Sequence, residues 1–366
     1  MFNSNHSEDS DFWRKIVLGC ITKLLSSGNY TAIQQSKHVD FVSDSIIPFL
    51  GRTPPSVNGK ITPAVKSFMC DDYTPIELSM SWKPDTNRHL VRFSIEPLPP
   101  NEPIDPSSIV AYGLLAIDRL CQATQIPGSA LADYFAPEPD LFMNILNTTS
   151  NSQMRTTAIS NIFLGFDLLP SRVQLKAYCV LNCSLDFTER LALTTRAISA
   201  HTTETALSAF LTYFRGKSAD WYSTYSPAPF IIGVDCTGTK DARIKIYFRY
   251  RSVTFDQLVD QLSLGGRILL SSEYISTLRD LWFRFTGDGR FLQSSDTDVT
   301  LYYEFSAIGS LPNAKCYLPV RLMARNDRVV ADVTTDWLGD HAHFSKYRDP
   351  FLTTISETWY DQCCLI

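Results

Sequence analysis

Apolar and polar residues alternate along Arg243-Ile244-Lys245-Ile246-Tyr247-Phe248, which sets Ile244, Ile246 and Phe248 on one side and Arg243, Lys245 and Tyr247 on the other. A period of two marks a strand with two unlike faces. The same one-sided polarity recurs in Val91-Arg92-Phe93-Ser94-Ile95-Glu96, Val173-Gln174-Leu175-Lys176-Ala177-Tyr178 and Lys315-Cys316-Tyr317-Leu318-Pro319. A single such segment reads as an exposed edge strand. Repetition implies instead that the apolar backs are covered by helices while the cationic fronts line a shared interior, which suits a closed barrel with a polar lumen.

The elements around these strands repeat as well. Residues 11–50 read as two amphipathic helices broken near 26–29, followed by a Pro-rich loop from Gly51 to Gly59 and predicted strands over Ile76–Trp82 and Leu90–Glu96. Helical sequence covers Ser107–Gln125 and Ser129–Leu146. The scheme then restarts with strands Ile162–Leu168 and Val173–Leu181 and a helix over 188–215. A third unit has strands Phe230–Asp235 and Ala242–Tyr250 around a Gly238 turn, with helices near Thr254–Leu264 and Glu273–Phe285. A fourth has strands Thr300–Ser306 and Ala314–Arg321, then helical sequence over Val329–Trp359. Each unit is an antiparallel strand pair followed by helices. The units fall near 12–125, 126–216, 217–286 and 287–366, within one α+β barrel domain. Lys176 and Lys245 are 69 residues apart, and Lys245 and Lys315 are 70 apart. A fifth unit would place its equivalent lysine near position ~385, beyond Ile366.

At 44% hydrophobic and 19% charged residues, with 22 Phe and 16 Tyr, the chain has material for a large core and no disorder signature. A net charge of -5 argues against a broad nucleic-acid or anionic-membrane surface, so any anion site must be local. The polar start, Met1 to Asp11, and the short apolar stretch Ile16 to Leu25, interrupted by Lys23, make neither a secretory signal nor a membrane span. Nine scattered cysteines fit free thiols in a reducing cytosol, so the expected location is cytoplasmic and Asn147-Thr148-Thr149 is expected to carry no glycan. Cys363-Cys364-Leu365-Ile366 has the shape of a prenylation box with an unusual last residue, and reads as an accidental tail. Asp340-His341-Ala342-His343 lacks a further convincing ligand and reads as surface.

The repeated strands deliver Arg92, Lys176, Arg243, Lys245 and Lys315 to one interior. A buried cluster of like charges is costly when empty, so an anion is expected among them. A diphosphate fits, since Arg offers forked donors and Lys point charges. The chain has no Asp-Asp-x-x-Asp of the kind that holds Mg²⁺, since Asp71-Asp72-Tyr73-Thr74-Pro75 lacks the last acid. The cations therefore stand in for a metal. Tyr178, Tyr247 and Tyr317 follow their lysines by two residues and share that face, where aromatic rings would stabilise a carbocation and exclude water. Taken singly, each is an ordinary core tyrosine; the shared Lys-x-Tyr spacing favours the ring. Glu77 points, by parity with Ser79 and Ser81, into the same interior, either as an ion-pair partner of Arg92 or as the acceptor for an N–H or O–H of an aromatic nucleophile.

Together these segments resemble the fungal indole prenyltransferases of the dimethylallyltryptophan synthase family. The resemblance lies in Thr74-Pro75-Ile76-Glu77-Leu78-Ser79, Val91 to Pro97, Phe166-Asp167-Leu168 with Lys176-Ala177-Tyr178, Arg243 to Tyr247, Leu262 to Arg267, and Lys315 to Val320 with Asn326-Asp327, in family order over about residues 12–330. It implies the ABBA prenyltransferase (PT) barrel of five α-β-β-α units. It further implies Glu77 as the indole contact, Arg92, Lys176, Arg243, Lys245 and Lys315 as diphosphate ligands, and Tyr178, Tyr247 and Tyr317 as the carbocation shield. The implied reaction is metal-independent Friedel-Crafts transfer of an allylic group, dimethylallyl above all, from its diphosphate to tryptophan or a tryptophan-containing cyclic dipeptide. The partners are thus a prenyl diphosphate and a small aromatic molecule, with no cofactor. Val180 replaces a frequent second aromatic. The fifth strand pair is missing, which leaves two open edges. Another segment or a second copy of the chain could fill the gap, a smaller barrel could close, or the chain is a truncated, weakly active relative that binds prenyl diphosphate or pairs with an intact homologue. A phenolic acceptor and a geranyl or farnesyl donor are the other open alternatives.

Overall fold

The computed structural model describes residues 5–57, 60–61, 65–67, 69–70, 72–82, 88–100, 106–125, 162–181, 185–237, 242–251, 253–287 and 298–357. The helix expected over Ser129–Leu146, the Gly238 turn and the Cys363–Ile366 tail lie outside these residues. Eight strands form one sheet in chain order, each antiparallel to the next. They are β1 (Ile76–Trp82), β2 (His89–Ile95), β3 (Ile162–Leu168), β4 (Val173–Val180), β5 (Ala228–Asp235), β6 (Ile244–Arg251), β7 (Asp298–Phe305) and β8 (Asn313–Tyr317). The expected α+β barrel architecture is present, with helices on the outside. These are α1 (Asn5–Ser27), α2 (Ala32–Phe41), α3 (Pro106–Ala123), α4 (Phe187–Ser199), α5 (Glu204–Arg215), α6 (Ala219–Tyr225), α7 (Phe255–Leu262), α8 (Ser272–Thr286), α9 (Val320–Met323), α10 (Asp327–Asp340) and α11 (Arg348–Ile355).

The alternating pattern decides which face meets the helices. Val91, Phe93 and Ile95 on β2, Ile244, Ile246, Phe248 and Tyr250 on β6, and Val299, Leu301, Tyr303 and Phe305 on β7 are all buried in one apolar core. Phe210 and Phe214 of α5 fill the layer between helix and sheet, with Phe214 stacked on Phe248 at 5.0 Å and Phe210 edge-on to Phe305 at 5.3 Å. Offset and edge-to-face aromatic pairs of this kind add to the gain from burial itself.

Two expected elements end earlier than their periodicity suggests. The helix expected over 188–215 is two helices, because Thr203 caps α5 by accepting from the Ala206 N–H. Its hydroxyl also donates to the Gly309 carbonyl at 2.6 Å, tying α5 to the β7–β8 turn. The strand expected to run to Arg321 stops at Tyr317, since Pro319 has no N–H for a ladder and Val320–Met323 turns helical.

The helical shell closes on itself. α11 packs on both α10 and α1, Trp82 at the end of β1 meets Tyr347 and Phe351 at ring distances of 6.2 and 5.9 Å, and Lys23 donates to the Glu357 carbonyl at 2.7 Å. Among the described residues the sheet edges β1 and β8 are not paired with each other or with any further strand. No described helix is long and apolar enough to cross a membrane. Cys70, Cys121, Cys179, Cys236 and Cys316 are free thiols. Cys20 is disulfide-bonded, which corrects the expectation of free thiols throughout.

Candidate active site

Cross-strand partners share a face of the sheet, so the register assembles the lumen residue by residue. Arg92 lies between Ser79 and Asp167. Lys176 lies between Gly165 and Asp235, and Lys245 between Gly233 and Glu304. Tyr178 also faces Gly233, which puts it in the row of Lys245 rather than of its own Lys176. Tyr247 faces Tyr302, which faces Lys315. Tyr178 and Tyr247 therefore each fall level with the lysine of the next hairpin. The flat cation layer and separate tyrosine layer expected from Lys-x-Tyr are instead a staircase, the consequence of strand stagger in a curled sheet.

The cations do not converge without internal counter-charge, and this corrects the premise drawn from the sequence. Asp167 accepts from Arg92 Nε at 2.8 Å and from Lys176 Nζ at 2.6 Å. Asp235 accepts from Lys245 Nζ at 2.6 Å and from Arg243 Nε at 2.8 Å. Glu304 pairs with Arg243 at 3.2 Å and approaches Lys245 at 3.7 Å. Lys315 makes no ion pair among the described residues and sits 5.5 Å from the Tyr317 ring centre. Set against these three carboxylates alone, the five cations leave a positive surplus that suits an anion. Period two held the signal for these acids, because each occupies the same face as the cation opposite. It emerges only once strands are paired.

Burial and neighbours set the charge states. Burial raises Asp167 and Asp235, but Lys176 and Arg92 beside the first, and Lys245 and Arg243 beside the second, pull both carboxyls below their ordinary range. Lys176, only 4% exposed, is lowered to about 8 by burial and by Arg92, against the pull of Asp167. Lys315 is lowered by burial and then by Arg92. For Arg92, burial is outweighed by Asp167 and the value rises.

The three expected tyrosines meet, joined by a fourth. Tyr178 stacks on Phe163 at 4.4 Å and is met edge-on by Tyr247 at 6.1 Å. Tyr247 contacts Tyr302 at 5.1 Å and Tyr317 at 6.3 Å, and Tyr302 and Tyr317 are 6.0 Å apart. Tyr302 is missed from sequence because it adjoins Tyr303, and parity alone cannot say which of two neighbours faces inward. Burial pushes all four hydroxyls up, so they stay neutral phenols. Tyr317, on the edge strand, is 41% exposed.

Glu77 faces Ser94 across β1 and β2. It is recessed among protein atoms yet open to solvent, and burial raises its carboxyl while Arg92 pulls it back. Arg92 spends its bond on Asp167 rather than on Glu77. Glu77 and Arg92 both act electrostatically on Tyr317, so the two ends of the curled sheet face each other across the lumen. No group of three or more His, Cys, Asp or Glu that could hold a metal occurs among the described residues.

Comparison with known proteins places the chain in a family. The family model described as tryptophan dimethylallyltransferase matches residues 9–349. A 4-O-dimethylallyl-L-tyrosine synthase of Claviceps purpurea is 28% identical over 352 residues, covering 89% of this chain and 75% of that protein. A 7-dimethylallyltryptophan synthase of Aspergillus fumigatus is 26% identical over 366 residues, covering 91% and 75%. In fold, the crystal structure of AnaPT from Neosartorya fischeri superimposes with a TM-score of 0.73 at 18% identity, over 97% of this chain and 86% of that one. Since the family match spans nearly the whole chain and the lumen carries the residues the resemblance implies, the protein belongs to the tryptophan dimethylallyltransferase family of aromatic prenyltransferases.

Proposed function

We propose that this single-domain barrel, working in the cytoplasm, transfers a dimethylallyl group from its diphosphate to an indole, without a metal ion. The carrying observation is the juxtaposition of a cation array, in surplus over Asp167, Asp235 and Glu304, with a cluster of neutral phenols one residue step away. Arg92, Lys176, Arg243, Lys245 and Lys315 hold the diphosphate, with Lys315 turning from the Tyr317 ring to the new anion. The C1–O bond breaks with both electrons leaving on the diphosphate, whose added charge falls where the cations already point. The allylic cation forms beside Tyr178, Tyr247, Tyr302 and Tyr317, whose ring faces stabilise positive charge without attacking it as phenolates would. An aromatic carbon of the acceptor attacks C1, and the ring then loses its proton to the released diphosphate and regains its aromaticity. Glu77, whose carboxyl burial raises and Arg92 pulls back, accepts a hydrogen bond from the acceptor N–H, a bond that strengthens as charge builds on the ring.

A phenolic acceptor is the second reading, favoured by the similarity to the tyrosine-modifying relative. In that case the phenol oxygen attacks and Glu77 takes the O–H proton. The test of the diphosphate site is Arg243→Ala together with Lys245→Ala. Both should lose turnover with dimethylallyl diphosphate, and unchanged turnover in either would put the diphosphate elsewhere.

A further inference from the structure

The inward side of β6 does not end at its tyrosine. Arg243, Lys245, Tyr247, Arg249 and Arg251 alternate with Ile244, Ile246, Phe248 and Tyr250, so the order along that side is cations, phenol, cations. Arg243 and Lys245 pair with Asp235 and Glu304 at one end. At strand rise the backbone of Arg249 lies about 7 Å beyond that of Tyr247 and about 14 Å beyond that of Lys245. Arg249 is exposed. Its guanidinium carbon sits 4.3 Å from the centre of the Phe230 ring, and Phe230 meets Tyr247 at 6.5 Å, which fixes the Arg249 side chain on the lumen side of the sheet. Pairing continues this row from Arg249 through Thr300 to Tyr317. Tyr317 is the tyrosine that feels Glu77, so the Arg249 row ends opposite Glu77.

We propose that Arg249 binds the α-carboxylate of the acceptor, which makes the acceptor a free aromatic amino acid rather than a cyclic dipeptide, whose carboxyl is tied up in an amide. The acceptor ring belongs between Glu77 and the phenols, with the diphosphate on the Arg243 and Lys245 side. The rest of the acceptor then extends the other way, and Arg249 is the cation met there. A guanidinium matches a carboxylate with two parallel N–H donors, and an aromatic face positions it without consuming a donor. Pairing has a second effect. A positive charge near Tyr247 opposes the allylic cation, and a bound carboxylate cancels that charge, so the cation is favoured when the acceptor is in place to trap it. The inference rests on the prenyl-transfer reading of the lumen.

Calorimetric titration of the full chain, saturated with dimethylallyl S-thiolodiphosphate, with L-tryptophan, L-tyrosine and the amide of each tests it without turnover. The parent should bind its better amino acid roughly tenfold to a hundredfold more tightly than the matching amide, the worth of a charged hydrogen bond. Arg249→Met should abolish that ratio by weakening the amino acid alone, with the amide and the donor analogue each within about twofold of the parent, and Arg249→Lys should restore part of it. Equal affinity for amino acid and amide in the parent, an unchanged amino acid affinity in Arg249→Met, or parallel weakening of amino acid and amide overturns the inference. Weakening of the donor analogue in Arg249→Met also overturns it, by placing Arg249 at the diphosphate. A parent that binds the donor analogue but neither amino acid overturns it as well, whereas a parent that does not bind the donor analogue overturns the prenyl-transfer reading itself. Should Arg249→Met not fold, Arg249→Gln decides by the same ratio.

Discussion

Raising the pH from 7 to 9 should weaken binding of dimethylallyl S-thiolodiphosphate roughly tenfold through Lys176 alone, since a site titrating near 8 is mostly protonated at the lower pH and mostly neutral at the higher. Lys176 is almost fully buried, and burial and Arg92 lower it despite two bonds of 2.6 Å to Asp167. Only its charged form offers the diphosphate a cation. In the empty protein the interval from the ordinary lysine value of 10.5 down to about 8 costs roughly 3 kcal/mol of folding stability. The sign follows from proton binding. The unfolded chain holds the proton more tightly, so the cost is complete below about 8 and is relieved as pH rises toward 10.5. At pH 9 a bound diphosphate restores the charged form and takes up a proton, whereas at pH 7 little uptake is expected. The assay is calorimetry at pH 7 and 9 in two buffers of different ionisation enthalpy, with Lys176→Met as reference. That variant leaves Asp167 paired with Arg92, should bind about tenfold to a hundredfold more weakly at pH 7 through loss of a charged hydrogen bond, and should show a flatter pH slope. Equal slopes in parent and variant would refute the assignment.

Other consequences can be checked as directly. Asp167→Asn leaves Arg92 and Lys176 without their carboxylate, so the empty protein should lose about 3 kcal/mol, and thermal unfolding with and without the thiolodiphosphate should show that the ligand restores more stability here than in the parent. Glu77→Gln should lower kcat by about a hundredfold, the lower range for a positioned acid or base, while steady-state KM for the donor stays within about twofold; an equal rise in donor KM would move Glu77 to the diphosphate. Trp82→Ala should cost about 2 kcal/mol in urea unfolding, less than a fully buried tryptophan, because it removes the aromatic contacts joining β1 to Tyr347 and Phe351.

What sequence could disclose here depended on whether a feature is local to one strand. The alternation in Arg243–Phe248 assigns the inward face of β6 without help, and the five cations, Glu77 and the three tyrosines are legible for the same reason. Asp167, Asp235 and Glu304 are not, because each matters through a cation on a neighbouring strand, and pairing register is a non-local quantity. The staircase of Lys-x-Tyr rows is invisible for the same cause, since a uniform spacing of about 70 residues suggests uniform height until the stagger of the strands is known. The early ends of α4 and β8 reflect Thr203 and Pro319, single residues that override a periodicity otherwise continuous. The paired edge strands of a fifth unit are absent from the described residues, while the contacts of α11 with α1 close the helical layer, a tertiary arrangement for which periodicity has no signature.

The most direct test of the central claim is the mass of the product formed by the purified chain from dimethylallyl diphosphate and either tryptophan or tyrosine, with a metal chelator present throughout. A product one dimethylallyl group heavier than the acceptor, formed at the same rate with and without chelator, is the predicted result. Loss of product with chelator and its return on adding Mg²⁺ would contradict the claim that the lysine and arginine array takes the place of a metal. Absence of product with both acceptors in either condition would contradict the transferase reading itself.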